Sequence, residues 1–325
     1  MASSAVKSVY LDWLSAALAK VRGASSTIAA SHQNLVLGYA TGYDAADVAI
    51  FVRSLRSHYS GPVALVVDRD ADLRAFLAEY DVEALDAPCT PDMASGKSWA
   101  PHPVVSRFAG FDLLLSERPW VRNALLTDVR DVVFQGDPFA PDVTGLEFFA
   151  ECDAPLKSHD FNMKYLRAVA GDCFADSVAD RACICVGTIL GSREALSRFC
   201  RLILMLGAIP RSRIGGAFGT DQASCNLAVH LGLIDGQVFA NHSRVATLGM
   251  VPAEKMSLVD GLICNPDGSA SPIVHQYDRH PELMTAMWAR WASDMQRRER
   301  CRPRTLGGRL DRMRQSVMRR TVELR

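Results

Sequence analysis

The sequence lacks several features that would assign a function class directly. Its 325 residues contain 36 basic and 36 acidic side chains, and the resulting net charge of zero gives no general attraction for nucleic acid. No uncharged apolar stretch approaches the ~18 residues that a membrane helix needs. The first 23 residues are interrupted by Lys7, Asp12 and Lys20, so no apolar core of a signal peptide is present. We therefore expect a cytoplasmic protein without a membrane span or a nucleic-acid partner.

Cysteine occurs without a recognisable pattern, and several well-known motifs are missing. The nine cysteines are irregularly spaced, and Cys183 and Cys185 are separated by one residue rather than by the two of a CxxC pair. This pattern predicts reduced, buried thiols rather than disulfides or a zinc site. A Walker A loop, a GxSxG elbow and a GxGxxG turn after the first predicted strand are all absent, which argues against three large enzyme classes.

Strand-like and helix-like segments alternate along the chain. Apolar runs at 34–40, 61–68 and 82–86 predict buried strands with helices between them, and a helix is predicted over 8–22. This order predicts an open α/β sheet with mostly parallel strands. Residues between 151 and 182 are predicted to be irregular. Further helices are predicted over 105–117, 193–207 and 219–232, further strands over 123–128, 146–151, 182–192 and 237–241, and a short strand followed by a helix within 271–296.

Composition divides the chain into three segments. Residues 1–33 predict an N-terminal helical segment, residues 34–296 the α/β domain, and residues 297–325 a basic tail with eleven arginines and three acids. Apolar side chains in this tail recur at helical spacing. Two interpretations stay open: a solvated surface helix, or an interfacial helix that holds the protein at an anionic membrane surface.

Charged residues follow a predicted buried strand in the stretch ALLTDVRDVVFQGDPF, residues 124–139. The strand ends in Asp128, Arg130 and Asp131. Open α/β sheets bind ligands at the carboxyl ends of their strands. Two carboxylates there, without clustered cysteines or histidines, suit a hard divalent ion such as Mg²⁺ or Mn²⁺. In the alternative interpretation Asp128 caps a turn and Asp131 pairs with Arg130 or Arg122 at the surface.

The stretch LLTDVRDVVFQGDPF resembles the DxD region of glycosyltransferases with the A-type fold. Asp128 takes the first acidic position of that motif, but Arg130 stands at the second, and the next acid is Asp131. Two hypotheses follow from this departure. Either Asp131 replaces the usual metal ligand, or metal binding is weak or absent and Arg130 itself neutralises phosphate charge.

Four other stretches resemble motifs of the same enzymes, in the same order along the chain. LVLGYATGYDAADVAIFVRSL is similar to their first strand and nucleotide-binding turn, and VGTILGS to the strand that faces the sugar and the acceptor. FGTDQASCN is similar to a downstream Asp-Gln motif, and SPIVHQYDRHP to the late histidine motif of glycosyltransferase family 8. The resemblance covers roughly residues 34–285.

The resemblance implies the A-type fold, a mixed and mainly parallel central sheet with helices on both faces. It also implies transfer of a sugar from a nucleotide diphosphate donor to a glycan or lipid-linked acceptor hydroxyl, as in polysaccharide biosynthesis. Asp221 is the implied base if the enzyme inverts the anomeric centre, whereas the likeness to family 8 favours retention, with Gln222 beneath that centre. The implied site consists of Asp128, Asp131 and His275 as ligands of Mn²⁺ or Mg²⁺; Ala40, Thr41, Gly42, Tyr43, Gly187 and Thr188 around the nucleotide sugar; Arg130 and Arg279 near the leaving phosphate; and Asp221 and Gln222 below the sugar.

Two other functions are compatible with the same residues. A metal-dependent phosphate-ester hydrolase or nucleotidyltransferase would use the same acids. A non-catalytic sugar-binding or scaffold protein of the same fold would carry Arg130 as the mark of a lost metal site.

Overall fold

The computed structural model describes residues 3–23, 33–87, 101–207 and 219–296. Residues 88–100 and all of the predicted tail 297–325 lie outside these residues. The helices in the described part are α1 Ser3–Gly23, α2 Ala45–Arg56, α3 Ala71–Glu79, α4 Pro103–Ser116, α5 Asp160–Ala170, α6 Asp172–Ser177, α7 Arg193–Gly207, α8 Thr220–His230 and α9 Pro281–Trp291. The strands are β1 Gln33–Tyr39, β2 Val63–Val67, β3 Glu83–Asp86, β4 Val121–Thr127, β5 Val132–Phe134, β6 Leu146–Pro155, β7 Ala182–Ser192, β8 Gln237–Phe239, β9 Val245–Thr247, β10 Ser257–Val259, β11 Leu262–Cys264 and β12 Ile273–His275.

A seven-stranded sheet with the order β3-β2-β1-β4-β7-β6-β8 forms the centre of the fold. Six of its strands point the same way, and β7 alone runs antiparallel to both of its neighbours. The predicted α/β class with a mostly parallel sheet is confirmed. The chain leaves β1 toward β2 and β3 and then returns to β4 on the other side of β1. The carboxyl ends of β1 and β4 therefore flank a topological switch point, where sheets of this kind bind ligands.

Helices cover both faces of this sheet because successive strand residues point to opposite sides. Val36 packs in a core with α2 and α3, whereas Leu35 and Leu37 pack in a second core with α1, α4 and α7. Strands buried on both faces explain the continuous apolar runs of the sequence. The helices predicted on both faces are present.

A small three-stranded sheet, β5-β12-β9, lies beside the carboxyl end of β4. It packs on α2 through the edge-to-face pair Phe51–Phe134 and through a hydrogen bond from the Phe134 amide to the Ser54 hydroxyl. In this sheet β12 is antiparallel to β5, and His275 pairs with Val132. The pairing places a late histidine beside the residues that follow Asp128.

The prediction of irregular structure between 151 and 182 was wrong, because α5 and α6 occupy much of it. The stretch DFNMKYLRAVA forms α5 and buries Met163, Leu166 and Val169 at helical spacing. The glycine that suggested a loop, Gly171, ends this helix with a φ of 86°. Among the described helices, none has both the length and the apolar character needed to cross a bilayer.

Candidate functional site

Asp128, Asp131 and His275 converge at the carboxyl edge of the central sheet. Asp128 directly follows β4, and its amide donates a hydrogen bond to the Gly187 carbonyl at 2.7 Å. Asp131 directly precedes β5, and its carbonyl accepts a hydrogen bond from the Gln276 amide at 2.7 Å. One ligand atom from each of the three side chains lies within 4.8 Å of the others. The three residues that the resemblance implied as metal ligands are thus neighbours in space.

The imidazole of His275 provides a physical test of whether a cation fits between these residues. Its Nε2 atom is buried without a hydrogen-bond partner in the described part of the chain, 3.6 Å from Asp128 Oδ2 and 3.8 Å from Asp131 Oδ1. A cation about 2.1 Å from each ligand keeps the ligand atoms about 3–4 Å apart. The two carboxylates are ligands that suit both Mn²⁺ and Mg²⁺, and the imidazole nitrogen favours Mn²⁺, since Mg²⁺ prefers oxygen ligands. The residues present therefore fit a divalent cation.

Gly187 faces this triad from β7 and leaves room for it. A Cβ at this position would lie 2.8 Å from Asp128 Oδ2 and 2.9 Å from His275 Nε2, and closer still to His275 Cε1. Gly187 therefore lies against the predicted metal ligands, at the site implied for the nucleotide sugar.

Gly187→Ala is expected to weaken Mn²⁺ binding by at least about tenfold, since second-shell changes that misplace metal ligands cost 10–100-fold. The added methyl group must displace the buried His275 ring or the Asp128 carboxylate. Titration calorimetry with Mn²⁺ measures the change. Gly136→Ala is the matched control, because its added Cβ approaches Pro272 no closer than 3.4 Å. Equal Mn²⁺ affinity in the two variants would contradict the assignment of the triad.

Arg107 of α4 joins Asp128 to the second predicted acid, Asp221. Its Nη1 donates to Asp128 Oδ1, and its Nη2 donates to Asp221 Oδ2 at 3.2 Å. The guanidinium is largely buried, with 11% of the side chain exposed. Arg107 was not among the site residues predicted from sequence. A sequence pattern that could have indicated its role is an arginine next to Phe108 inside an apolar helical segment, since such a segment is expected to be buried.

Burial and neighbouring charges shift the pKa values of the three acids in different directions. Burial would raise the pKa of Asp128, but Arg107 and His275 outweigh it and hold that pKa well below the ordinary value. Burial raises the pKa of Asp131 and of Asp221, and the negative charge of Asp128 adds to both shifts. Burial would lower the pKa of His275, but Cys185 and Asp128 raise it well above its ordinary value. Asp128 is therefore the most firmly ionised of these acids.

Two partly exposed arginines lie at the rim of the triad. Arg130 approaches Asp278 at 3.5 Å, and Arg279 approaches Asp131 at 3.6 Å and Asp278 at 2.7 Å. Burial would lower the pKa of Arg130, but Tyr43, Asp131 and Asp278 raise it. Arg130 therefore faces both the acids and the turn after β1. Arginine side chains at the rim of a carboxylate cluster can donate charge-assisted hydrogen bonds to an anionic ligand such as a phosphate.

The turn after β1 lies at the switch point and begins α2. Ala40 is fully buried, and its amide donates to the Val66 carbonyl at 2.8 Å, so its contact with a nucleotide stays a prediction. Thr41 and Tyr43 are partly exposed. Gly42 has a φ of 79°, and its amide donates to Asp68 Oδ2 at 2.6 Å. Positive φ explains a glycine at this position. Two residues after Gly42, Asp44 caps the N-terminus of α2 in a capping box with Asp47.

Thr188 lies in the sheet, one residue beyond Gly187. It is fully buried opposite Thr127, and its hydroxyl has no hydrogen-bond partner among the described residues. The structure places it beneath the site rather than at its surface. Its contact with a nucleotide sugar stays a prediction.

Gln222 belongs to a second polar cluster beside the triad. Its amide donates to Glu151 Oε2 at 2.7 Å and to Asn162 Oδ1 at 3.0 Å. The ligand atoms of Glu151, His159 and Cys183 also lie close enough to suggest a cation. However, Asn162 donates to both Glu151 Oε2, at 2.8 Å, and Cys183 Sγ, at 3.0 Å, and therefore already occupies the space between them.

We interpret this second cluster as a hydrogen-bond network rather than as a metal site. Burial and the nearby Glu151 raise the pKa of Cys183, so its sulfur remains a thiol rather than a metal-binding thiolate. The network fixes the amide of Gln222 through its nitrogen. Glu151 and Asn162 were not among the predicted site residues, since neither belongs to a local motif.

Comparison with known proteins adds no assignment. A scan against models of protein families finds no match, and a search of curated proteins finds no significant match. The function proposed below therefore depends on the site geometry and on the motif resemblance.

Proposed function

We propose that this protein is a metal-assisted glycosyltransferase of the A-type fold that uses a nucleotide diphosphate sugar. The observation that carries the proposal is the buried Nε2 atom of His275, which lies between the carboxylates of Asp128 and Asp131 and makes no hydrogen bond with the described residues. This cation site lies beside the turn after β1, at the switch point of the sheet. A nucleotide bound at that turn would direct its diphosphate toward the carboxylates.

The chain supplies positioning and charge for the proposed transfer. Asp128, Asp131 and His275 would hold Mn²⁺ or Mg²⁺, and the bound ion would neutralise charge on the diphosphate. Thr41 and Tyr43 would contact the nucleoside. Their neighbours at the rim, Arg130 and Arg279, would donate hydrogen bonds to phosphate oxygens as negative charge develops on the leaving group.

Asp221 and Gln222 would lie beneath the donor sugar. Arg107 fixes the Asp221 carboxylate, and Glu151 and Asn162 fix the Gln222 amide nitrogen. The Oε1 atom of Gln222 makes no hydrogen bond with the described residues, so it is available to the sugar. A fixed amide that presents its oxygen below the ring suits retention of configuration, in agreement with the family 8 resemblance. Assignment of the product anomer by NMR tests this, and an inverted product would contradict it.

The proposal is tested by the ligands that the protein binds and consumes. We expect UDP or GDP to bind in calorimetry only when Mn²⁺ is present, and one nucleotide sugar to raise the thermal midpoint, because a ligand stabilises the state that binds it. Turnover of phosphomonoesters or nucleoside triphosphates, with no response to nucleotide sugars, would identify a hydrolase or nucleotidyltransferase instead. Metal-independent sugar binding without turnover would identify a non-catalytic relative.

A further inference from the structure

An aromatic pair lies on α5 next to the second polar cluster. The rings of Phe161 and Tyr165 have centroids 4.7 Å apart and planes inclined by 53°. Phe161 is 49% exposed, which is unusual for a large aromatic side chain. Tyr165 is partly buried. Exposure of the Phe161 ring to water is unfavourable, so its location relative to the site is informative.

Tyr165 connects this pair to the residues below the proposed donor sugar. An added Cβ at Gly219 would lie 2.9 Å from both Cδ2 and Cε2 of Tyr165, so the ring packs directly on the Gly219 backbone. Gly219 is the residue that begins α8, with a φ of 86°, and Asp221 and Gln222 follow in the first turn. The aromatic pair therefore borders the helix end that carries these two residues.

Polar groups suited to hydroxyl groups lie on the other side of Tyr165. Asn162 precedes Tyr165 by three positions on α5, which places the two side chains about 60° apart around the helix. Asn162 and Gln222 hold only the Oε2 oxygen of Glu151, and Oε1 makes no hydrogen bond with the described residues. A site that combines aromatic rings with a few fixed polar groups is typical for small polar organic ligands.

We propose that the α5 face formed by Phe161 and Tyr165 binds a sugar ring of the acceptor, with Glu151 Oε1 accepting a hydrogen bond from one of its hydroxyls. This inference depends on the proposed glycosyltransferase function and specifies its acceptor as a saccharide. The apolar C–H face of a pyranose matches the flat rings, and its hydroxyls match the carboxylate. A lipid chain would match the rings but would leave Glu151 Oε1, which makes no hydrogen bond with the described residues, without a counterpart.

The test compares Phe161→Ala and Tyr165→Ala with the unaltered full chain on a printed array of unmodified saccharides. We expect the unaltered chain to retain one group of related glycans, and each variant to bind them about fivefold to tenfold more weakly. Leu231→Ala is the matched control. Leu231 is 51% exposed, close to the 49% of Phe161, but it lies at the other end of α8. The control should retain the glycans as the unaltered chain does.

A second measurement separates this inference from the proposed function. Mn²⁺-dependent nucleotide binding, measured on the same samples, should be unchanged in Phe161→Ala, and it also shows that the variant is folded. Two outcomes would overturn the acceptor site alone. In the first, the unaltered chain binds nucleotide but no glycan on the array. In the second, it binds nucleotide, and all variants bind the glycans equally well. Loss of nucleotide binding in the unaltered chain would overturn the proposed function. Binding to phosphatidylglycerol vesicles that depends on Phe161 would assign this face to a membrane and would also overturn the inference.

Discussion

Asp128→Asn is expected to weaken Mn²⁺ binding by at least about 100-fold. Mutation of a residue that only supports a metal ligand costs up to about 100-fold in metal affinity, and a ligand itself should cost at least as much. Asp128 is the triad acid whose pKa is held low, because Arg107 and His275 favour its ionised form. Asparagine keeps the shape of the side chain and can still accept a hydrogen bond from Arg107. It removes the negative charge that a hard cation requires. Calorimetry with Mn²⁺, with and without UDP, measures the loss.

Asp86→Asn is the control for this variant. Asp86 ends β3 at the same edge of the sheet, but its carboxylate is exposed and pairs, within the described part of the chain, with Arg69 and Arg74. Its replacement should leave Mn²⁺ affinity unchanged, because exposed ion pairs contribute little and lie outside the triad. Thermal unfolding of both variants establishes that each is folded. Unchanged Mn²⁺ affinity in Asp128→Asn would remove Asp128 from the metal site and would favour the hypothesis in which Arg130 neutralises phosphate charge.

The triad could be predicted from sequence because two of its members belong to one local pattern. A buried strand that ends in charged residues places them at the carboxyl edge of a parallel sheet, and this holds for Asp128 and Asp131. His275 was assigned only through the motif resemblance. Its position depends on the pairing of β12 with β5, two three-residue strands distant in sequence. Periodicity over three residues is too short to predict such a pairing.

Arg107 and Glu151 could not be predicted for a different reason. Each acts through partners from other elements, so their roles depend on packing rather than on neighbours in sequence. An isolated arginine in an apolar helix is compatible with a surface position until the fold brings Asp128 and Asp221 to it. By contrast, α5 was predictable in principle. Its buried residues repeat at helical spacing, and acidic residues and Gly171 obscured that pattern.

Arg107→Lys is expected to lower the transfer rate by about 100-fold or more, the effect typical of losing a fixed charge-stabilising group in an active site. The guanidinium holds Asp128 and Asp221 at once, one with each terminal nitrogen. A lysine ammonium keeps the charge but not the planar fork, so it cannot orient both carboxylates in the same way. Initial rates with the nucleotide sugar found by thermal screening measure the loss. Arg201→Lys changes a half-exposed arginine of α7 that pairs with the buried Asp112 of α4, outside the site, and it should leave the rate nearly unchanged.

Measurements of Mn²⁺ affinity, turnover and unfolding show whether Arg107 contributes to the reaction or only to the stability of the folded protein. The Arg107 guanidinium and the cation compete for the negative charge of the Asp128 carboxylate. The Arg107→Ala variant should therefore bind Mn²⁺ more tightly, although it should transfer sugar more slowly. The same variant leaves Asp221 buried without its counter-charge, which costs about 3–5 kcal/mol in the free energy of unfolding. Urea denaturation with and without Mn²⁺ separates these effects. A stability loss with unchanged turnover per folded molecule would show that Arg107 is structural, because a positioning residue must alter the rate even when the protein is fully folded and metal-bound.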